Sequence, residues 1–243
     1  MRQLHIIMPM AGEGARFKNN GWVTPKPLIK ADGKELYCRA VDSIKIPENV
    51  EIKYTFIVRE EHISQFNIDS EIKKKIPQAT IFSVEKTTRG AVETCLIAKD
   101  NIEDNEAIII MDCDLEFKSK EYVDLVFESL KTNNPQYAGI LLSFKSQLPK
   151  YSYAEINELN YVLRTAEKEV ISDNAICGAY FFSNGKEFKD VAQRLLNESD
   201  FQKPEFYVSL LYNYLINDGK IIKLATIDEY YSYGTPEELK MNI

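Results

Sequence analysis

Histidine is scarce in this 243-residue chain: only His5 and His62 are present, the first in an apolar run and the second in an acidic stretch. A Ser-His-Asp or Cys-His nucleophile therefore has few candidates. The four cysteines, Cys38, Cys95, Cys113 and Cys177, form no C-x-x-C pair and no His/Cys cluster, which argues against a disulfide framework and against zinc. They are expected to be reduced and partly buried. No window approaches the roughly eighteen uninterrupted apolar residues of a membrane span, and Met1-Arg2 runs into a short apolar strand without a signal-type core. A cytoplasmic protein with no membrane partner is expected. A basic excess is also missing, with 30 Lys and Arg against 37 Asp and Glu. No nucleic-acid partner is expected, because a long duplex is gripped through a broad basic face. A small phosphorylated ligand stays open, since two or three placed cations and a few backbone N–H groups suffice for it.

What is present is an alternation. With 44% apolar residues the chain can bury one full core, and no linker, repeat or low-complexity tract divides it. Apolar β-rich runs at Leu4 to Met8, Lys53 to Val58, Thr80 to Val84, Ala107 to Met111 and Tyr137 to Phe144 read as strands. Helical spacing with cap signals appears at Glu35 to Lys45, Gly90 to Asn101 and Lys120 to Lys131. This is the pattern of a doubly wound α/β layer. Beyond Tyr151 the character changes: Tyr161-Val162-Leu163 and Ala179 to Phe182 read as strands, and Gly185 to Asn197 and Glu205 to Asn217 as helices.

The first strand ends in Pro9-Met10-Ala11-Gly12-Glu13-Gly14-Ala15-Arg16-Phe17. Open α/β sheets bind ligands at this end of a strand. A dinucleotide fingerprint would need glycine where Phe17 stands and would open a helix at once, and a P-loop would need Gly-Lys-Ser/Thr. Instead the loop continues to Pro25-Lys26-Pro27-Leu28. Its glycines let backbone approach a phosphate and a base, and Arg16 and Lys26 are placed to converge on a triphosphate from the two ends of the loop. Downstream, the apolar run Ile108 to Met111 is followed by Asp112 and Asp114, which strand alternation puts on one side of the chain. Two hard oxygen ligands there suit Mg²⁺.

With Gly-x-Gly-x-Arg and Pro-Lys-Pro-Leu at this spacing, the chain resembles the sugar-phosphate nucleotidylyltransferases, and the likeness runs almost end to end. Thr88-Arg89-Gly90-Ala91 resembles the second base-binding loop and Asp112-Cys113-Asp114 the metal-binding strand end. Ala166-Glu167-Lys168 with Cys177-Gly178-Ala179-Tyr180 resembles the acceptor pocket, and Tyr233 to Leu239 the closing segment. The resemblance implies a Rossmann-like three-layer nucleotidyltransferase fold with a mixed, mainly parallel sheet. It implies one domain over 1–243, with its nucleotide-binding part at about 1–150 and its acceptor-binding part at about 151–243. It implies that a nucleoside triphosphate and a small phosphorylated acceptor condense, with Mg²⁺, to an NDP-sugar and pyrophosphate, for surface polysaccharide. The implied catalytic residues are Arg16, Lys26 and Asp114, and the metal ligands Asp114 and Asp112. Met10, Ala11, Gly12, Gly14, Thr88, Gly90 and Ala91 would take the nucleotide, and Glu167, Lys168 and Gly178 the acceptor, with Gly178 leaving room for its ring. A homo-oligomer is compatible with all of this.

Two features depart from the pattern. Many relatives carry an aspartate two residues before the closing glycine, where this chain has Ser232, so either one aspartate suffices or the second metal ligand lies elsewhere, with Asp112 and Asp228 as candidates. The loop after Arg16 also carries Asn19, Asn20 and Trp22, as in a short bacterial subgroup. Two rival readings follow: a GT-A glycosyltransferase, which shares the Asp-x-Asp motif, and a non-catalytic regulatory homologue.

Overall fold

The computed structural model describes residues 1–199 and 201–243. The central sheet is built on β1 (Leu4–Pro9), and two short strands, β2 (Lys30–Ala31) and β3 (Lys34–Glu35), make a separate ribbon. Then come β4 (Ile52–Arg59), β5 (Thr80–Val84), β6 (Ala107–Met111), β7 (Leu115–Lys118), β8 (Gly139–Lys145) and β9 (Ser152–Ile156). Last are β10 (Val162–Glu167), β11 (Asn174–Phe182), β12 (Ile222–Thr226) and β13 (Glu229–Ser232). The helices are α1 (Ala15–Lys18), α2 (Leu36–Asp42), α3 (Glu60–Phe66), α4 (Ile68–Lys75) and α5 (Ala91–Leu96). They continue with α6 (Lys120–Leu130), α7 (Gly185–Leu196), α8 (Leu211–Asn217) and α9 (Pro236–Met241).

The strands run in the order β10-β9-β11-β6-β1-β4-β5, and β8 joins β11 to β12. Strands β6, β1, β4 and β5 are parallel, as are β8 and β12, while β11 runs antiparallel to both β6 and β8. The sheet is therefore mixed, with helices on both faces, as expected. Strand alternation builds the two cores: Ile6, Met8, Ile109 and Met111 point to one layer, with α2, α4 and α6. Ile7, Ile108 and Ile110 point to the other, with α5, α7 and α8. A strand buried on both faces reads as an unbroken apolar run, which is why β6 falls where the sequence puts it.

Several boundaries differ from the sequence reading. The expected helix at Gly90 to Asn101 is α5 plus a single 3₁₀ turn at Lys99–Asn101. The one at Glu205 to Asn217 begins only at Val208, because Tyr207 is extended and the Phe206 backbone is hydrogen-bonded to Arg89 and Val92 instead of to a helix. The glycine loop opens a helix after all, the one-turn α1. All four cysteines are free and buried. No helix among the described residues is long and apolar enough to cross a membrane.

His5 is buried between Glu106 (2.6 Å from Nδ1) and the Thr55 hydroxyl (2.7 Å from Nε2), which gives it a structural partner on each side. The second core layer centres on Phe182, fully buried, stacked on Tyr212 at 4.7 Å and packed on Phe188 at 5.2 Å. Phe182→Ala is expected to lower unfolding free energy by about 3–5 kcal/mol in chemical denaturation, and a loss below about 1 kcal/mol would contradict this packing.

Candidate active site

Four connections leave the parallel strands at their carboxyl ends, those after β1, β4, β5 and β6. Gly14, at φ +64°, makes the left-handed step that starts α1. That single turn buries Phe17 and leaves Arg16 exposed. Phe17 joins Ile29, Ala31, Leu36, Tyr233 and Leu239 in a small third core, with the Trp22 ring edge-on to it at 5.6 Å. Apolar anchors thus stand just past Arg16 and just past Lys26. The loop between them is held by this burial together with its own turns, in which the Asn20 and Trp22 N–H groups donate to the Phe17 carbonyl and the Gly21 N–H to that of Lys18.

Arg16, Lys26, Ala91, Asp112, Asp114, Glu167, Lys168 and Gly178 all line one cavity of about 370 Å³. Lys26 Nζ donates to Asp114 Oδ2 at 2.8 Å. Burial alone would lower the Lys26 pKa, but Asp114 outweighs it and holds the ammonium charged. Asp114, despite its own burial, is kept below the usual carboxylate range by Lys26 and Arg16. Asp112 goes the other way: burial, then the charge of Asp114, push it up to about 7. Arg16 makes no side-chain hydrogen bond or ion pair to any described residue, so its donors are free for an anion.

The acceptor half forms around the end of β10. Glu167 is 5% exposed and accepts the hydroxyls of Ser152 and Ser209, the latter at 2.9 Å. Lys168 sits at φ +56°, a left-handed conformation uncommon for a residue with a side chain. Its Nζ donates to the Tyr207 hydroxyl at 2.7 Å. Lys150, Tyr151, Glu205, Tyr207, Tyr230 and Glu238 also line the cavity and were not singled out from sequence. Only Glu238 carried a signal, in Thr235-x-x-Glu238: Thr235 caps α9 by accepting from the Glu238 N–H at 3.2 Å. The Glu238 carboxylate accepts from Ser232 at 2.8 Å and pairs with Lys150.

Other expected residues lie beside the cavity instead of lining it. Met10 and Ala11 are buried, and Gly12 has nothing within 4 Å of where a side chain would be. Gly14, Thr88 and Gly90 sit on the flanking loops. Gly178 corrects its expected part: a Cβ there would fall 2.1 Å from Asp112 Oδ2, so the space it leaves is filled by the Asp112 carboxylate and not by a ligand ring. Asp228 is no ligand candidate either. It is exposed outside the cavity and accepts from the Lys120 N–H at 3.0 Å.

Among the described residues no three His, Cys, Asp or Glu side chains stand close enough to hold a metal ion by themselves. Asp112 and Asp114 nevertheless suit Mg²⁺, which is typically held by one or two carboxylates and otherwise by water and substrate phosphates. The slot at Gly178 keeps the Asp112 carboxylate in the cavity. A carboxyl with a raised folded pKa binds more protons folded than unfolded, so stability falls as pH rises from about 4 to 7. Asp112→Asn is therefore expected to raise the thermal midpoint in chelator, with no gain near pH 4 and a gain that grows toward pH 7.5. A variant equal to the wild type at both pH values would contradict the Asp112 environment.

No protein-family model matches the chain. It is 24% identical over 237 residues to the bifunctional protein GlmU of Buchnera aphidicola, covering 93% of this chain and 46% of that protein. The chain thus spans about half the length of that relative. The crystal structure of a nucleoside-diphosphate-sugar pyrophosphorylase from Vibrio cholerae superposes with a TM-score of 0.82 at 25% identity, over 97% of this chain and 98% of the other. A putative glucose-1-phosphate thymidylyltransferase from Bacillus anthracis (TM-score 0.77, 18% identity, 98% and 93% covered) shares the fold. So does the inositol-1-phosphate CTP transferase of T. maritima (0.75, 15%, 98% and 92%). The chain thus shares the fold of solved nucleotide-sugar pyrophosphorylases and sugar-phosphate nucleotidylyltransferases over nearly all of its length, and its phosphate-arm residues Arg16 and Lys26 and the paired aspartates meet in one cavity.

Proposed function

We propose that this protein transfers a nucleotidyl group from a nucleoside triphosphate to a sugar phosphate or similar small phosphoester, giving an NDP-sugar and pyrophosphate. One observation supports the reading: Arg16 and the Lys26–Asp114 pair line the same cavity as Glu167 and Lys168. Two anions held by these two groups would meet within it.

The reaction is in-line attack by an acceptor phosphate oxygen on the α-phosphorus, forming one P–O bond and breaking the bond to pyrophosphate. A phosphate monoester is mostly a dianion at neutral pH, with a second pKa near 6, so no general base is needed. The shortage of histidine is no obstacle. Arg16 and Lys26 bind the triphosphate from the two ends of the loop and offset charge on the transferring and leaving groups. Lys168, oriented by Tyr207, holds the acceptor phosphate, and the Glu167 carboxylate, held by its two serines, takes hydroxyl donors from the rest of the acceptor. The backbones of Met10, Ala11, Gly12 and Gly14 and of Thr88, Gly90 and Ala91 flank the base. Asp112 and Asp114 would hold Mg²⁺, which when bound neutralises phosphate charge and keeps the triphosphate in line. Nucleotide sugars feed glycan assembly, and surface polysaccharide is the destination we assign.

The test is pyrophosphate release across CTP, UTP, GTP and dTTP against a panel of sugar 1-phosphates and polyol phosphates. Release with at least one pair, lost in excess chelator, is the expected result. Silence across the panel, or release of a nucleoside diphosphate with a sugar donor, would contradict it. Arg16→Ala and Lys26→Ala are each expected to lower kcat/KM by roughly two to four decades. Lys168→Ala is expected to raise acceptor KM and lower kcat while sparing nucleotide binding, as read by calorimetry. A variant that weakens only the nucleotide would remove Lys168 from the acceptor side.

A further inference from the structure

The loop expected to meet the base is not free-standing. Gly90 adopts φ +140°, and a Cβ on it would fall 2.5 Å from the backbone N and 2.8 Å from the O of Phe206. Glycine is required there by the segment that lies on it. The Phe206 N–H donates to the Arg89 carbonyl at 2.9 Å, and the Phe206 carbonyl accepts from the Val92 N–H at 3.1 Å. The side chains repeat the attachment. The Arg89 guanidinium lies 4.9 Å from the Phe206 ring centre and is fixed by Glu93 at 2.8 Å, and Phe201 stacks on the same ring at 4.5 Å.

The residues on either side of Phe206 belong to the other half of the site. Glu205 and Tyr207 line the cavity, and Tyr207 receives the Lys168 ammonium. Lys203 Nζ donates to the Glu167 carbonyl at 3.2 Å, and Ser209 donates to its carboxylate. Residues 203–209 therefore grip Glu167 and Lys168 at three points and the 89–92 loop by two backbone hydrogen bonds and one ring contact, with Phe206 as the joint.

We propose that Phe206 is a positioning residue that couples the two half-sites: the 203–209 segment is set by the 88–92 loop, so a nucleotide on that loop fixes the acceptor pocket before the acceptor arrives. This rests on the assignment of the loop to the nucleotide and of Glu167 and Lys168 to the acceptor. The coupling is reciprocal, so an acceptor bound at Lys168 must tighten the nucleotide by the same factor. The joint is made of backbone groups of both segments and of the Phe206 ring packed on Arg89 and Phe201, a contiguous set of contacts between the two half-sites.

Amide hydrogen exchange on the full chain reads this directly, with CTP, UTP, GTP and dTTP added singly and no acceptor present. The expected result is slower exchange, by roughly tenfold, at 203–209, the segment assigned to the acceptor half, as well as at 10–16 and 88–92. Phe206→Ala is expected to keep the nucleotide Kd measured by calorimetry without acceptor within about threefold and to raise acceptor KM about tenfold, with Phe206→Leu recovering most of it. Protection confined to 10–16 and 88–92, in a protein that releases pyrophosphate, would overturn the coupling and leave the enzyme assignment standing. No protection with any nucleotide and no pyrophosphate would overturn the assignment and the coupling with it. Should Phe206→Ala fail to fold, the wild-type exchange comparison decides alone.

Discussion

The Lys26–Asp114 ion pair joins the two pieces of chain on which the rest of the cavity is hung. Lys26 comes from the arm after α1 and Asp114 from the turn after β6, 88 residues apart in sequence, and they meet at 2.8 Å. Breaking such a partly buried pair from one side leaves a charge without its counter-ion, which is why neither partner can be changed in isolation without disturbing the site. Around the pair the protein gathers Asp112, Glu167, Glu205 and Glu238 with Arg16, Lys150 and Lys168. Counting the pair, five carboxylates stand with four cations in this cavity, in a chain of net charge -7.

That concentration of charge has a structural cost. Asp112 is held where burial and Asp114 both resist its ionisation, in a slot that exists only because residue 178 is glycine. Lys168 is held in a left-handed backbone conformation. Sites whose geometry is set by function tend to carry strain of this sort, offset by packing elsewhere. Here the compensation is visible in two cores on the faces of the sheet and a third, small one that clamps Phe17 and Ile29 on either side of the phosphate arm.

How far this was legible in the sequence depends on whether a signal was local. Strands β5 and β6 end at the residues read from pattern, because an apolar run bounded by turns is a local signal. Arg16, Lys26, Asp112 and Asp114 stood out because glycine, proline and acidic punctuation marks loop chemistry at strand ends. Lys150, Glu205 and Tyr207 did not, since each reaches the cavity through tertiary contacts with no sequence pattern of its own. The same blindness hid the reasons for two glycines. Gly178 makes room for Asp112 and Gly90 for the Phe206 backbone, and neither neighbour is near in sequence. The extended Phe206 segment was read as helix because its hydrogen-bond partners are Arg89 and Val92, more than a hundred residues earlier.

The central claim is that the bond broken lies between the α- and β-phosphorus of a nucleoside triphosphate, with the acceptor's own phosphate as nucleophile. The most direct measurement follows two labels through one turnover: ³²P at the α position of the triphosphate and ³³P in the acceptor phosphate. The account predicts both isotopes in a single diphosphate-linked product and unlabelled pyrophosphate. Labels that stay in separate products, or an acceptor that loses its own phosphate, would contradict it.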